Sequence, residues 1–234
     1  MNKILIFTAT YNEAENISKL IEEIFKNLQN VDILIVDDNS PDNTHEIVKT
    51  LSLNNKNIIL KKREKKLGLN SAHIFGYEYA LQNKYEKLIT MDADLSHDPS
   101  EIPQMLKLLE NYDFVIGSRY MEGGKNDMPT LRLILSILGN KFIKFILNLK
   151  NTEYTSSYRG FNIKNLTHFH FNQINSKGYS FFMETVFKIN ALGYKVFEFP
   201  IHFKNREFGK SKIPKIEIFR TFFNVIKIFL ANKN

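Results

Sequence analysis

Short apolar runs alternate with longer amphipathic stretches along the first half of the chain. An apolar run at residues 3–9 is followed by apolar positions at helical spacing over residues 11–29, a pattern typical of a strand and a helix. Repeats of this alternation predict strands at residues 3–9, 32–36, 57–60, 87–91, 113–116 and 195–200. Strands that alternate with helices indicate an α/β fold, with a mostly parallel central sheet covered by helices.

The helical patterns continue beyond the first half of the chain. Predicted helices cover residues 11–29, 44–51, 70–82, 99–110, 131–149, 179–192 and 214–231. Two of them, at 131–149 and 214–231, carry apolar stripes interleaved with Lys and Arg. Such a stripe is typical either of a core-facing helix or of a helix lying in a lipid headgroup layer, and the pattern alone leaves both interpretations open.

Length and composition limit the class of protein. The 234 residues suit a single domain, and 43% hydrophobic with 24% charged residues is ordinary for a globular chain. The absence of cysteine excludes disulfides, thiolate zinc sites and a cysteine nucleophile, so a metal would need oxygen or imidazole ligands. We see no secretory signal and no apolar run of the roughly 20 residues that span a membrane, and we expect a cytoplasmic protein.

The charge balance indicates an anionic partner. A formal net charge of +7 fits nucleic acid, anionic lipid or a phosphorylated substrate equally well. The lysines are scattered and no groove-reading motif is present, which argues against nucleic acid and leaves it as a distant alternative. We therefore expect a phosphorylated substrate or a lipid surface.

Polar clusters follow three of the predicted strands. They are residues 10–13 after the first strand, 36–40 after the second and 92–94 after the fourth. Ligands of such sheets bind at the carboxyl ends of the strands, so we expect the three clusters to converge. Asp92 and Asp94 point to the same side of an extended stretch and would repel each other without a cation. Mg²⁺ or Mn²⁺ would suit this pair, because both ions share their shell with substrate phosphates.

The sequence motifs together resemble a known family. They are TATYNEAENI, VDDNSPDNT, GLNSAHIFGYEYA, MDADLSHDP, GSRY, TSSYR, GYSF and PIHFKNREFGKSK. In this order they resemble the family 2 inverting glycosyltransferases of the GT-A fold, and more narrowly the dolichol- or polyprenol-phosphate mannose synthases. The resemblance covers almost the whole chain and implies the nucleotide-diphospho-sugar transferase architecture.

The resemblance also implies roles for individual residues. It implies catalytic roles for Asp94, Arg119, Arg206 and Lys212, and metal ligation by Asp92, Asp94 and Ser96. It implies substrate contacts for Thr8, Tyr11, Glu13, Asp38, Asp92, Arg132, Ser136 and Glu184. Many relatives carry Gln where this chain has Ser96, so a water between the shorter Ser and the metal is the alternative to direct ligation. His97 is interpreted as a turn or packing residue.

One motif departs from the family pattern. Relatives usually have Thr-Ser-Gly-Phe-Arg where this chain reads Thr-Ser-Ser-Tyr-Arg at residues 155–159. Ser157 replaces the Gly, which puts a tight backbone approach in doubt and leaves the role of Arg159 open.

The implied reaction transfers mannose from GDP-mannose to a polyprenol (dolichol-type) phosphate, with inversion, and gives a β-mannosyl phosphate lipid. Residues 1–120 would bind the nucleotide sugar and the metal, 121–213 the acceptor, and 214–234 would form a terminal amphipathic helix. A lipid phosphate is already anionic, so no strong general base is expected. Alternatives are a UDP-glucose-dependent polyprenol-phosphate glucosyltransferase, another family 2 polysaccharide glycosyltransferase, or a non-catalytic nucleotide-sugar binding module.

Contact with the lipid acceptor is expected at the cytoplasmic face of a membrane, where the protein would be peripheral. Three routes stay open: the amphipathic helices, a membrane-anchoring partner protein, or a soluble acceptor that requires no membrane.

Overall fold

The computed structural model describes residues 3–205 and 216–231. Its strands are β1 Ile4–Thr10, β2 Asp32–Asp37, β3 Ile58–Lys62, β4 Lys87–Asp92, β5 Phe114–Ser118, β6 Lys125–Asn126, β7 Arg159–Asn162, β8 Val196–Pro200 and β9 His202–Phe203. Its α-helices are α1 Ile17–Asn27, α2 Thr44–Asn54, α3 Leu69–Gln82, α4 Ile102–Leu108, α5 Thr130–Leu147, α6 Tyr179–Ala191 and α7 Ile216–Ala231.

Within these described ranges, seven strands form one sheet in the order β3-β2-β1-β4-β7-β5-β8. β1 is parallel to both β2 and β4, β2 to β3, and β5 to β8, whereas β7 runs antiparallel between β4 and β5. The central strands are nearly continuous apolar runs, as expected for strands covered on both faces. The prediction of a mostly parallel, helix-covered sheet is confirmed.

Successive residues of β1 supply the cores on the two faces of the sheet. Leu5 and Phe7 join a cluster with residues of α3, α5, α6 and α7, and Ile6 joins a second cluster with residues of α1, α2 and α4. α3 lies so close to β1 that a Cβ at Gly76 would stand 2.5 Å from the Phe7 ring. This close approach fixes α3 beside the strand whose carboxyl end carries the first polar cluster.

Two predicted helices are shorter than expected, and β7 and the two-residue strands β6 and β9 were not predicted. The predicted helix 11–29 begins only at Ile17, because Asn12 is in the left-handed region at φ 59° and its N–H donates to Ser40 Oγ at 3.1 Å. The predicted helix 99–110 starts as a 3₁₀ turn at Pro99–Glu101, and α4 then ends at Leu108. β7 lacks an apolar run, since its sequence is Arg-Gly-Phe-Asn. The remaining predicted elements are confirmed with small shifts of their ends.

The amphipathic helices α5 and α7 pack together. Phe142 stacks on Phe222 with ring centroids 4.8 Å apart, and Val225 and Ile228 of α7 are buried in the core. Outward-facing apolar side chains remain exposed on both helices: Leu131, Ile134, Leu135, Leu138, Phe145, Phe222, Phe223 and Leu230. Each helix therefore has both a core face and an exposed apolar face. Across the part of the chain that the structure describes, none of the helices has the length and apolarity to cross a membrane.

Candidate active site

A cavity of about 470 Å³ opens at the carboxyl ends of β1, β2 and β4. Seven of the predicted site residues line it: Tyr11, Glu13, Asp38, Asp92, Asp94, Arg119 and Arg132. Lining residues that had no predicted role include Lys66, Asn70, Thr155, Ser156, Phe182 and Phe203. The convergence of the three polar clusters follows from the parallel pairing of these strands.

At one end of the cavity lie the aromatic ring of Tyr11 and the carboxylate of Asp38, which accepts hydrogen bonds from within the protein. Lys66 Nζ lies 3.6 Å from the centre of the Tyr11 ring. Asp38 accepts hydrogen bonds from Arg63 Nη1 at 2.7 Å and from the backbone N–H of Gly68 at 2.8 Å. The basic loop between β3 and α3 is thereby tied to the end of β2, so that Tyr11, Asp38 and Lys66 share one wall.

Asp37 does not line the cavity, but it stabilises the turn next to that wall. Its carboxylate accepts from Thr10 Oγ1 at 2.8 Å, and from the N–H and hydroxyl of Ser40 at 2.9 and 2.5 Å. Since Asp37 is fully buried, these hydrogen bonds offset the cost of its desolvation and fix the turn after β2. Asp37 therefore has a structural role in this turn.

The carboxylate pair stands at the end of β4, and each member has one oxygen held by a serine. Ser157 Oγ donates to Asp92 Oδ1 at 2.6 Å. Ser96 donates to Asp94 Oδ1 from both its N–H, at 3.1 Å, and its hydroxyl. Ser96 is almost completely buried, and its hydroxyl supports Asp94. Ligation by Ser96, direct or through water, stays a prediction.

The donor set of this pair fits a hard divalent ion. Among the described residues, no group of three or more His, Cys, Asp and Glu side chains could by itself hold a metal. Two carboxylates with a diphosphate and waters would complete the shell that Mg²⁺ or Mn²⁺ prefers, since these ions usually keep only one or two protein carboxylates. Asp92 and Asp94 are therefore the residues that would hold the ion.

His97 lies beside the carboxylate pair as a neutral ring. Its Nδ1 accepts from the backbone N–H of Asp92 at 3.1 Å, and its ring stacks on Tyr158 at 4.8 Å. Burial lowers the pKa of His97 below its usual range despite the nearby carboxylates. The imidazole thus adds no positive charge at neutral pH, and it packs against the turn as the sequence predicts, although its edge reaches the cavity wall.

The cation Arg119 is held by a buried carboxylate that sequence reasoning missed. Arg119 Nε and Nη2 donate to the two oxygens of Glu153 at 2.7 and 2.9 Å. Burial acts to raise the pKa of Glu153, but the charge of Arg119 and hydrogen bonds from Arg119 and Thr155 hold it below its usual value. No apolar pattern or motif marks Glu153, whose only sequence signal is an acidic residue just before the TSSYR segment.

Arg159 lies outside the cavity and stabilises the backbone around it. It is 1% exposed, and its guanidinium donates to the carbonyls of Ser156, Phe182 and Tyr154 at 2.7, 2.8 and 3.0 Å. Burial lowers the pKa of Arg159 to about 9, which leaves it charged at neutral pH. It therefore ties the loop of residues 154–156 to α6, and both of these elements line the cavity.

Three predicted substrate-binding residues are not brought to the cavity. Thr8 is fully buried within β1. Ser136 Oγ is 2.6 Å from the hydroxyl of Tyr120. Glu184 is buried, and its carboxylate accepts from the backbone N–H groups of residues 175 and 176 at 3.2 and 2.8 Å. Ser136 and Glu184 thus make internal contacts, whereas the buried Thr8 Oγ1 has no hydrogen-bond partner among the described residues. The substrate contacts of these three residues stay predictions. Arg206 and Lys212 lie outside the described residues.

Comparisons with known proteins place the chain in a family. The model of the family "Glycosyl transferase family 2" matches residues 5–169. The undecaprenyl-phosphate mannosyltransferase of Micrococcus luteus is 35% identical over 212 residues, which cover 90% of this chain and 87% of that protein. The polyprenol monophosphomannose synthase of Mycolicibacterium smegmatis is 34% identical over 226 residues, which cover 95% and 85%.

A solved structure extends the comparison to the fold. The mannosyltransferase PcManGT from Pyrobaculum calidifontis, in complex with GDP-Man and Mn²⁺, is similar with a TM-score of 0.56 at 16% identity. The similarity covers 85% of this chain, which spans 55% of that enzyme's length. It supports the predicted GT-A fold, and the sequence matches extend over most of the chain. The chain belongs to glycosyl transferase family 2 and is a glycosyltransferase.

Proposed function

We propose that the protein transfers mannose from GDP-mannose to a polyprenol phosphate with inversion at the anomeric carbon. The observation that carries this proposal is the cavity in which the Asp92–Asp94 pair shares one space with Arg119 and Arg132. A carboxylate pair suits a metal-bound diphosphate, and arginines suit a second phosphate. The names of the two relatives support mannose as the sugar and a polyprenyl phosphate as the acceptor.

The donor occupies the wall formed by the β1 and β2 ends. Tyr11 offers an aromatic face, while Glu13 and Asp38 offer acceptors to the hydroxyl and amino groups of a nucleoside. Lys66 lies at the same wall and adds positive charge near the diphosphate. Asp92 and Asp94 would hold a divalent ion, which would neutralise charge at the departing diphosphate. The bound complex of PcManGT with GDP-Man and Mn²⁺ supports this choice of donor and ion.

The acceptor phosphate approaches from the side of Arg119 and Arg132. One of its oxygens forms the new bond to the anomeric carbon as the bond from that carbon to the diphosphate oxygen breaks. The electron pair of the broken bond leaves with the nucleoside diphosphate, and a single displacement inverts the configuration. The attacking oxygen is already anionic, so the step needs no general base. We propose that Arg206 and Lys212 add positive charge around the same phosphate.

The exposed apolar faces of α5 and α7 provide a surface for the lipid. Arg132 lies near the start of α5 and lines the cavity, and the helix continues outward through exposed Leu138 and Phe145. The exposed Lys141 and Lys144 on the same helix favour an anionic headgroup layer. We propose that this surface lies on the cytoplasmic face of a membrane, where the phosphate of the acceptor reaches the cavity.

A transfer assay with two donors tests the proposed function. Purified protein receives radiolabelled GDP-mannose or UDP-glucose together with polyprenyl phosphate, and the organic phase is analysed for mannosyl or glucosyl phosphate lipid. We expect label only from GDP-mannose, in a product with a β-linked mannosyl phosphate. Glucosyl lipid from UDP-glucose would replace the proposal by the glucosyltransferase alternative. Nucleotide-sugar binding without transfer to lipid or soluble acceptors would favour a non-catalytic binding module.

A further inference from the structure

Ser157 lies directly opposite Asp92, the first of the two carboxylates that would hold the metal ion. β4 and β7 are antiparallel with Thr90 opposite Arg159, so extension of the register by two residues places Asp92 opposite Ser157. The Thr90 hydroxyl donates to the carbonyl of Ser157 at 2.5 Å and fixes its backbone on β4. Ser157 is 4% exposed, which leaves its side chain little room to turn away. The serine hydroxyl is thus held in place before it meets the carboxylate.

This hydrogen bond makes the surroundings of the two carboxylate oxygens of Asp92 different. Oδ1 accepts from Ser157 Oγ at 2.6 Å, whereas Oδ2 lies 4.0 Å from Nδ1 of His97. That Nδ1 accepts from the backbone N–H of Asp92 and has no proton to donate to Oδ2. The side chain of Asp92 is 37% exposed toward the cavity. The hydrogen bond from Ser157 therefore fixes Oδ1 of Asp92 and sets the orientation of the carboxylate.

A carboxylate with one oxygen fixed in this way favours coordination of a metal ion through its other oxygen. An oxygen that already accepts a short hydrogen bond from a hydroxyl is a weaker metal ligand, and the other oxygen then binds alone. Mg²⁺ and Mn²⁺ accept single carboxylate oxygens in an octahedral shell, whereas Ca²⁺ takes more ligands and often binds both oxygens of one carboxylate. The restriction to one oxygen therefore favours the smaller ions.

We propose that Ser157 is a positioning residue that holds Asp92 for single-oxygen coordination, and so strengthens binding of Mn²⁺ and Mg²⁺ relative to Ca²⁺. The inference rests on the metal requirement in the proposed function and extends it to a residue that the sequence analysis treated only as a departure from the family pattern. Ser157 lines the cavity and acts through its hydrogen bond to Asp92.

Metal binding without turnover tests this role. Mn²⁺ binding to the full chain is measured by electron paramagnetic resonance with GDP present and no lipid acceptor, and Ca²⁺ is added as a competitor. In Ser157→Ala and Ser157→Gly we expect the Mn²⁺ dissociation constant to rise about fivefold, the size of one net hydrogen bond. The preference for Mn²⁺ over Ca²⁺ should fall with it, while GDP binding without metal stays unchanged.

A matched control removes a similar hydrogen bond far from the cavity. The Tyr85 hydroxyl donates to Asp32 Oδ2 at 2.5 Å, at the opposite edge of the sheet. Tyr85→Phe should therefore lose stability without a change in Mn²⁺ affinity. Wild-type Mn²⁺ affinity and selectivity in both Ser157 variants would overturn the inference alone, as would an equal loss in Tyr85→Phe. Failure of the wild-type protein to bind Mn²⁺ with GDP would overturn it together with the metal part of the proposed function.

Discussion

Side chains differ in arrangement between two regions of the molecule. One is the site wall, which here comprises the ends of β1, β2 and β4, and the other is the surface of α5 and α7. At the wall, carboxylates are held by internal hydrogen bonds, as in the contact of Asp38 with Arg63 and of Asp94 with Ser96. On the helices, large apolar side chains extend into solvent, with Leu131 71% and Phe145 82% exposed.

The two regions suit different kinds of ligand. A polar ligand of fixed shape is bound best by groups whose geometry is set in advance, because little ordering is then required on binding. An apolar phase needs area and no fixed geometry, and exposed apolar patches mark such surfaces. We therefore expect substitutions at the wall to affect the chemical step, and substitutions on the helices to affect access to the lipid.

The largest effect is expected at the wall. Asp94→Ala should lower kcat/KM for transfer by roughly 10³-fold, since a bound ion stabilises the departing charge by several kcal/mol. Vesicle binding should stay unchanged. The measurement is the initial rate of lipid mannosylation at saturating Mn²⁺, and a rate within tenfold of wild type would contradict the assignment of Asp94 as a ligand.

A smaller effect is expected at the junction of the two regions. Arg119→Lys should lower kcat/KM by about 10²-fold, because lysine cannot reproduce the two-point contact with Glu153 that orients the cation.

Arg119→Ala should in addition lower the free energy of unfolding by about 3 kcal/mol, since it leaves Glu153 buried without its partner. The double variant Arg119→Met with Glu153→Gln removes both charges, so it should regain stability in urea unfolding while it stays inactive. Recovery of activity along with stability would assign Arg119 a structural role only.

On the helical surface, Phe145→Asp should weaken binding to vesicles about tenfold, as expected for loss of one inserted aromatic side chain. Turnover with a short-chain, water-soluble prenyl phosphate should stay at the wild-type rate. Leu53→Asp is the control, because Leu53 is 80% exposed on α2, away from this surface. Equal loss of vesicle binding in both variants would contradict the assignment of a specific membrane face.

The smallest effect concerns pH and a carboxyl group near β9. Burial, with the charge of Asp98 adding to it, raises the pKa of Glu101 to about 7 from its usual value of 4.5. The stability that the protonated form contributes is thus present below about pH 4.5 and is lost as pH rises through 7. Wild type should therefore lose stability relative to Glu101→Gln between pH 5 and pH 8. Urea unfolding at both pH values checks this, and an equal difference at the two would contradict it.

The sequence predicts most of the fold because periodicity and turn residues are local. β7 escaped prediction since its placement depends on pairing with β4 and β5, and one of the carbonyls that its buried Arg159 requires lies on the distant helix α6. A strand stabilised by its partners carries little signal of its own.

The site was predictable where the backbone alone places a residue. Asp38, Asp92 and Asp94 follow strand ends, so their convergence depends only on parallel pairing. Glu184 was given a substrate contact from motif position, and its carboxylate accepts from the backbone of the preceding loop, a contact that the motif does not display. Contacts between distant segments decide such cases, and a single sequence does not display them.

The most direct test of the central claim is transfer of radiolabelled mannose from GDP-mannose to polyprenyl phosphate in vesicles, with Mn²⁺ and with a chelator. The account predicts label in the organic phase only when both the metal and the lipid phosphate are present. Transfer of equal extent in the presence of chelator, or to vesicles that lack polyprenyl phosphate, would contradict it.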